Sequence, residues 1–169
     1  LTESTPKPLL AVGGTPLLET ILQNFTAQGF QKFFFSVNYK ADMIVDYFGD
    51  GEKWGVEINY ITEELPLGTA GALSLLPEQP TEPVLVMNGD ILTSVDFAQL
   101  MSFHAEASVD ATMCLREYDF EVPFGVVTVD GHRVTNFSEK PVQSFFVNAG
   151  IYCLNPEVIA KVPTGEFYD

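Results

Sequence analysis

The sequence predicts an α/β fold with a mostly parallel central sheet and an antiparallel or mixed extension. Three observations carry this reading. Up to Arg116, strand-like runs alternate with helix-length segments. Several of those runs are apolar throughout, as strands covered on both faces must be. After Arg116, strand-like runs follow one another with no helix between them.

Taken in order, Thr15-Pro16 opens a helix whose apolar positions Leu17, Leu18, Ile21, Leu22 and Phe25 recur at helical spacing, closed near Gly29. Lys32 to Val37 is a Phe-rich buried strand, Ala41 to Phe48 a helix stopped by Gly49-Asp50-Gly51, and Val56 to Ile61 an alternating strand. A helix over Thr69 to Leu76, an apolar strand at Val84 to Met87, a helix from Asp96 to Ala107 and a strand at Thr112 to Leu115 continue the pattern. Such alternation implies right-handed crossovers between parallel strands. Gly125 to Val129 and His132 to Phe137, joined by Asp130-Gly131, read as a β-hairpin, and Phe145 to Leu154 as a last strand.

At 169 residues, 46% of them apolar, the chain is long enough for one domain with a core, taken as residues 1–169 without repeat or linker. A formal charge of -15 opposes any polyphosphate backbone and argues against nucleic acid as a partner. It leaves open a small anion held by a few lysines and backbone N–H groups. No run approaches the roughly 18 apolar residues of a membrane span, and no signal peptide is visible, so no membrane partner is expected. Cys114 and Cys153 lie far apart in apolar runs and read as buried thiols of a reducing, cytoplasmic compartment. The chain starts at Leu1 and ends just after a helix-like stretch, and reads as a fragment.

Four local patterns could carry chemistry. Lys7, between Pro6 and Pro8, has a stiff backbone that could aim its ammonium at a phosphate; alone, it equally describes an exposed loop lysine. Glu63 to Ala72 places Pro66, Gly68, Thr69 and Gly71 between a strand and a helix, where bare backbone can approach a flat ring or phosphate, or merely cap a helix. Asn88-Gly89-Asp90 follows the most apolar strand, at the strand end where open α/β sheets bind ligands; it is also good turn sequence. Glu139-Lys140-Pro141 with Asn148-Ala149-Gly150 offers a loop cation, an amide and a glycine inside a strand, suited to sugar hydroxyls or to a bulge beside a surface ion pair. His104 and His132 have no catalytic partner at a telling spacing and read as structural.

In sequence order, the segment ending Thr5-Pro6-Lys7-Pro8-Leu9-Leu10, then Pro66 to Ala72, Asn88-Gly89-Asp90, Glu139-Lys140-Pro141 and Asn148 to Tyr152 resemble the sugar-1-phosphate nucleotidylyltransferase family. The likeness covers essentially the whole chain and is nearest to the branch that makes GDP-sugars, including mannose-1-phosphate and glucosamine-1-phosphate guanylyltransferases. It implies a Rossmann-like three-layer nucleotidyltransferase fold and transfer of a nucleotidyl group to a sugar-1-phosphate, with release of pyrophosphate.

Carried over residue by residue, Lys7 would meet the nucleotide phosphates. Glu63, Pro66, Gly68, Thr69, Asn88 and Gly89 would line the nucleotide. Asp90 would bind Mg²⁺, Lys140 the sugar phosphate, Glu139 and Asn148 its hydroxyls, and Gly125 and Gly150 would let the ring lie against backbone. A carboxylate at Glu63 or Glu64 could accept from N1–H and the amino group of guanine, which makes GTP the preferred nucleotide.

Three departures from the family are expected. Its Gly-rich loop would precede Leu1, its second metal carboxylate would follow Asp169, and Phe124 stands where a Tyr is common. The resemblance also permits a non-catalytic nucleotide-sugar-binding regulatory subunit. Without its first strand the sheet would expose open backbone, so a homo-oligomer is a further open outcome.

Overall fold

The computed structural model describes residues 5–63 and 65–169. Two compact units emerge, one formed by Leu1–Thr112 with Ile151–Asp169 and the other by Met113–Gly150.

In the first unit a 3₁₀ turn at Lys7–Leu9 leads into two short antiparallel strands, β1 (Ala11–Val12) and β2 (Thr15–Pro16). Gly13 and Gly14 between them both have positive φ, at 66° and 92°, the pairing a tight hairpin requires. Thr15-Pro16 is strand, and it leads directly into helix α1 (Leu17–Ala27), whose N-cap is Pro16. It buries Leu18, Ile21, Leu22 and Phe25, the stripe expected from spacing, and ends with Gly29 at φ 93°, a left-handed cap that glycine takes without strain.

Strand β3 (Lys32–Val37) pairs in parallel with β4 (Glu57–Thr62), from Lys32↔Glu57 to Val37↔Thr62, and helix α2 (Ala41–Phe48) connects them. Leu18, Leu22, Val37, Ile44, Phe48, Val56 and Ile58 form the core beneath this pair. Burial of that apolar stripe, at roughly 25 cal/mol per Å², is what makes short helices of this kind stable.

Helix α3 (Gly68–Gly71) is a single turn that tightens into a 3₁₀ segment at Ala72–Leu75, in place of the continuous helix expected. Strand β5 (Val84–Met87) follows, then helix α4 (Phe97–Ala107), whose first turn is capped by Asp96 accepting from Gln99 N at 2.8 Å. Strand β6 (Ala111–Glu121) is longer than expected, as is β9 (Val142–Leu154), which lies between β5 and β6 in a three-stranded sheet. A short helix α5 (Pro156–Ile159) comes after β9.

The expected mostly parallel sheet is corrected by this pairing. Only β3 and β4 form a parallel pair among the described residues, whereas β5 pairs antiparallel with β9, from Val84↔Leu154 to Met87↔Ile151. The helix-length segments on either side of β5 predict crossovers to parallel neighbours. A strand arriving from the antiparallel stretch fills that place instead.

In the second unit β7 (Gly125–Asp130) and β8 (Arg133–Glu139) form the expected hairpin, with Gly131 at φ 59° opening a two-residue turn with His132. The turn is thus displaced one residue from Asp130-Gly131. A bulge interrupts the register between Thr128 and Val129.

His104 is buried, with Nδ1 2.8 Å from the Thr112 hydroxyl and Nε2 3.0 Å from Asn155 Oδ1, so it joins α4 to the start of β6 and the end of β9. Both cysteines are free thiols; Cys153 is buried, and burial pushes the Cys114 thiol up. Among the described residues no helix is long and apolar enough to cross a membrane.

Phe97, fully buried, stacks on Phe25 with ring centroids 3.9 Å apart and planes 3° from parallel, while Phe30 meets both rings edge-on. Replacing Phe97→Ala is expected to cost about 3–5 kcal/mol, read as a lower midpoint in urea unfolding.

Candidate active site

The segment after β4 is held from both sides. Glu63 accepts from the Ser36 hydroxyl through one oxygen and from Leu67 N, at 3.0 Å, through the other, so a β4-end carboxylate fixes the entry to α3. Asn38 Nδ2 donates to Glu63 O at 3.2 Å. Leu65 and Pro66 are exposed between these anchors, and Leu67 is buried.

The far side is held by Glu166–Asp169. Tyr168 N donates to Leu67 O at 2.8 Å, Ala70 N and Gly71 N both donate to Tyr168 O at 3.0 Å, and Thr69 N donates to Asp169 Oδ1 at 2.8 Å. The Thr69, Ala70 and Gly71 amides of α3 are satisfied within the chain. The two glycines owe their identity to the same approach. A Cβ on Gly68 would lie 2.7 Å from Tyr168 O, and one on Gly71 would lie 2.8 Å from Glu166 O. Gly68 also has φ 79°, where a side chain is strained. Glu64 and the Leu1–Ser4 part of the first motif lie outside the described residues.

Asn88-Gly89-Asp90 forms a turn at the end of β5, with Asn88 and Asp90 exposed. The path onward to α4 is fixed by α1: Asn24 Nδ2 donates to Thr93 O at 3.3 Å, Gln28 Nε2 to Val95 O at 3.4 Å, and Phe97 N to Gln28 Oε1 at 2.6 Å. No group of three or more His, Cys, Asp or Glu that could cage a metal exists among the described residues. An exposed lone carboxylate is nevertheless the donor that Mg²⁺ arriving on a triphosphate takes, since that ion keeps its waters and phosphate oxygens and needs only one or two protein ligands. Asp90 fits that role.

Lys7 is exposed on the 3₁₀ turn fixed by Leu9 N donating to Pro6 O at 2.9 Å. Lys32, Lys40 and Lys53 lie over aromatic rings, but Lys7 and Lys140 have neither a ring nor a carboxylate partner among the described residues. Their charges are available to a ligand.

In the second unit the open end of the hairpin gathers Phe124, Gly125, Glu139 and Lys140. Gly125 is opposite Glu139 in the β7–β8 register, and Lys140 N donates to Phe124 O at 3.2 Å. Lys140 holds φ 44°, an uncommon left-handed conformation for a lysine. A Cβ on Gly125 would fall 2.5 Å from the Phe137 ring and 3.0 Å from Glu139 Oε2, so the space above this glycine is taken by its cross-strand neighbours. On β9, Asn148 Oδ1 accepts from Gly150 N at 2.8 Å, and Gly150 has φ 68°, the irregularity that a glycine inside a strand signals.

The nucleotidyl transferase family model matches residues 1–165. The chain belongs to the nucleotidyl transferase family. It is 36% identical to a mannose-1-phosphate guanylyltransferase of Mycobacterium tuberculosis over 98% of this chain and 47% of that protein. A UTP–glucose-1-phosphate uridylyltransferase of Synechocystis is 31% identical, with 100% of this chain and 48% of that protein covered. The chain thus spans about half the length of these curated relatives. Among solved structures, HddC from Yersinia pseudotuberculosis matches with TM-score 0.72 and 26% identity over 99% of this chain and 75% of that one. The same protein complexed with GMP-PN matches at TM-score 0.71 and 25% identity, over 96% and 72%.

Ser36, Tyr168 and Asp169 escape a reading of motifs. Ser36 is inside a strand, and Asp169 meets Thr69 across a separation of 100 residues, so no local pattern announces either contact. The glycines were a usable signal that something approaches the backbone, without naming what.

A paired substitution checks the packing argument. Gly68→Ala, which adds a Cβ at positive φ against Tyr168 O, is expected to cost about 1–2 kcal/mol or more by thermal unfolding. Gly89→Ala, whose Cβ would find only Leu18 Cδ1 at 3.9 Å, is expected to change stability by less than about 0.5 kcal/mol in the same measurement.

Proposed function

We propose that the complete protein transfers a nucleotidyl group from a nucleoside triphosphate, GTP by preference, to a sugar-1-phosphate, yielding a nucleotide sugar and pyrophosphate. The observation that carries the reading is the likeness to a guanylyltransferase along 98% of the chain. The two structural units would act together as one nucleotidylyltransferase domain, a reading supported by a family match that spans both.

A phosphate oxygen of the sugar-1-phosphate attacks the α-phosphorus in line, the new P–O bond forming as the bond from the α-phosphorus to the α–β bridging oxygen breaks and pyrophosphate leaves. The nucleophile needs no strong base, because a phosphate monoester with its second pKa at about 6 is already largely dianionic at neutral pH. The protein's task is to bring two anions together and hold them in line. Lys7 would neutralise the nucleotide phosphates, and Lys140, held by its left-handed backbone at the hairpin mouth, the sugar phosphate. Glu139 and Asn148 would meet sugar hydroxyls, with Gly125 and Gly150 shaping the strands that carry them. Mg²⁺ held by Asp90, when bound, supplies charge neutralisation at the triphosphate.

Glu63 is assigned to the base. Two of its roughly four acceptor positions are filled by Ser36 and Leu67 N, which leaves capacity for the N1–H and amino group of guanine. Pro66, Gly68, Thr69, Asn88 and Gly89 would complete the nucleotide side.

The test is pyrophosphate release by the complete protein with Mg²⁺, each of the four common NTPs being paired with mannose-, glucose- and glucosamine-1-phosphate. GTP is expected to be used best, and Asp90→Asn to lower kcat by on the order of 10²-fold or more. Lys140→Ala is expected to raise KM for the sugar phosphate by roughly 10- to 100-fold while leaving that for the nucleotide little changed. No turnover with any pair, alongside binding of a nucleotide sugar, would replace this reading with a regulatory subunit of the same fold.

A further inference from the structure

The strand-to-helix loop that the proposed function assigns to the nucleotide is shaped by residues that none of the functional motifs contains. In Pro66-Leu67-Gly68-Thr69, Pro66 and Thr69 are exposed and Leu67 is buried, and the chain turns sharply at Gly68. The Thr69, Ala70 and Gly71 N–H donors of α3 find their acceptors in Tyr168 and Asp169. Tyr168 O takes two amides at 3.0 Å, Tyr168 N returns a bond to Leu67 O at 2.8 Å, and the Asp169 carboxylate takes the remaining Thr69 amide at 2.8 Å.

Three of these four bonds belong to backbone and survive any side-chain change. The fourth depends on one side chain, and it is charge-assisted, the stronger class of hydrogen bond. It falls on Thr69, the residue next to Gly68 with its positive φ. Glu63 does the corresponding work at the other end through Leu67 N. The loop is therefore clamped by one carboxylate at Leu67 N and another at Thr69 N, with Leu65, Pro66 and Thr69 exposed to a base.

We propose that Asp169 is a positioning residue for the nucleotide: by holding the Thr69 amide it fixes the Gly68–Thr69 backbone in its nucleotide-ready shape, and so sets the affinity for the triphosphate without touching it. A loop ordered before binding spends less of the binding free energy on its own ordering. Loss of the carboxylate should then appear as weaker nucleotide binding, with the chemical step and the sugar side unaffected. This rests on the nucleotidylyl-transfer reading of the loop.

The experiment uses the complete protein with Asp169→Ala and Asp169→Asn. For Asp169→Ala, KM for the preferred NTP is expected to rise about tenfold while kcat and KM for the sugar phosphate stay within about twofold. Asp169→Asn keeps an oxygen that accepts from Thr69 N, and is expected to restore most of the nucleotide KM. Amide hydrogen exchange at Thr69 should quicken in Asp169→Ala, and the β3–β4 amides should keep their wild-type rates. If Asp169→Ala does not fold, Asp169→Glu, whose extra methylene displaces the oxygen, replaces it.

An active wild type whose nucleotide KM is unchanged by these substitutions overturns the positioning role and leaves the transfer reading intact. Equal rises in both KM values together with a lower melting temperature, unrelieved by Asn, also overturn it, because they mark a general loss of structure. Wild-type protein that neither turns over nor binds any NTP overturns both readings.

Discussion

The face of Phe97 against Phe25 is the contact on which the arrangement of the first unit depends. Ring centroids 3.9 Å apart in a fully buried setting remove a large apolar area from water and fix the end of α1 against the start of α4. From that seam Asn24 and Gln28 reach the carbonyls of Thr93 and Val95, and Gln28 accepts from Phe97 N. The stretch from β5 to α4 thereby has a defined path although it has no regular structure of its own. Asp90 lies near the beginning of that path, so the carboxylate assigned to the metal is placed by packing in a hydrophobic seam that contains no ligand.

A second constraint is that backbone donors near the surface of a fold still need acceptors. Helix α3 is too short to satisfy its own amides, because a single turn leaves its first N–H groups without intrahelical partners. Glu166–Asp169 passes close enough to supply them, and it can do so only because Gly68 and Gly71 present no Cβ. The small residues here thus serve a close approach of chain to chain. The Thr69, Ala70 and Gly71 amides are thereby already in use.

Much of this was legible in the sequence where the signal is local. The spacing of Leu18, Ile21, Leu22 and Phe25 gives α1 and its buried face, Asp96 gives the cap of α4, and the glycine in the turn gives the β7–β8 hairpin. Pairing was harder to see. An apolar run such as Val84–Met87 states that both faces are covered and says nothing of which strand lies beside it, so β9 as an antiparallel neighbour could not be read from β5. Gly125 shows the same limit: the family resemblance implies a sugar ring against its backbone, and the β7–β8 pairing sets the Phe137 ring beside it, a contact no local pattern announces. Local patterns record that backbone must be bare; only the register records what it is bare for.

The charge balance raises the sharpest question for a chain that would bring two phosphates together, since its formal charge is -15. Position answers it better than the total does. A surface charge acts within about 8–10 Å at physiological salt, so the global excess of carboxylates weighs less at the reacting atoms than the few groups facing them. Glu63 and Asp169, carboxylates on either side of the nucleotide loop, each accept from a backbone amide, whose partial positive charge offsets part of the field they would otherwise project. Lys7 and Lys140, by contrast, spend their charge on no carboxylate among the described residues. For the proposed reaction between anions, acidic groups already bound to amides, and lysines with no carboxylate partner among the described residues, would count for more than the total charge.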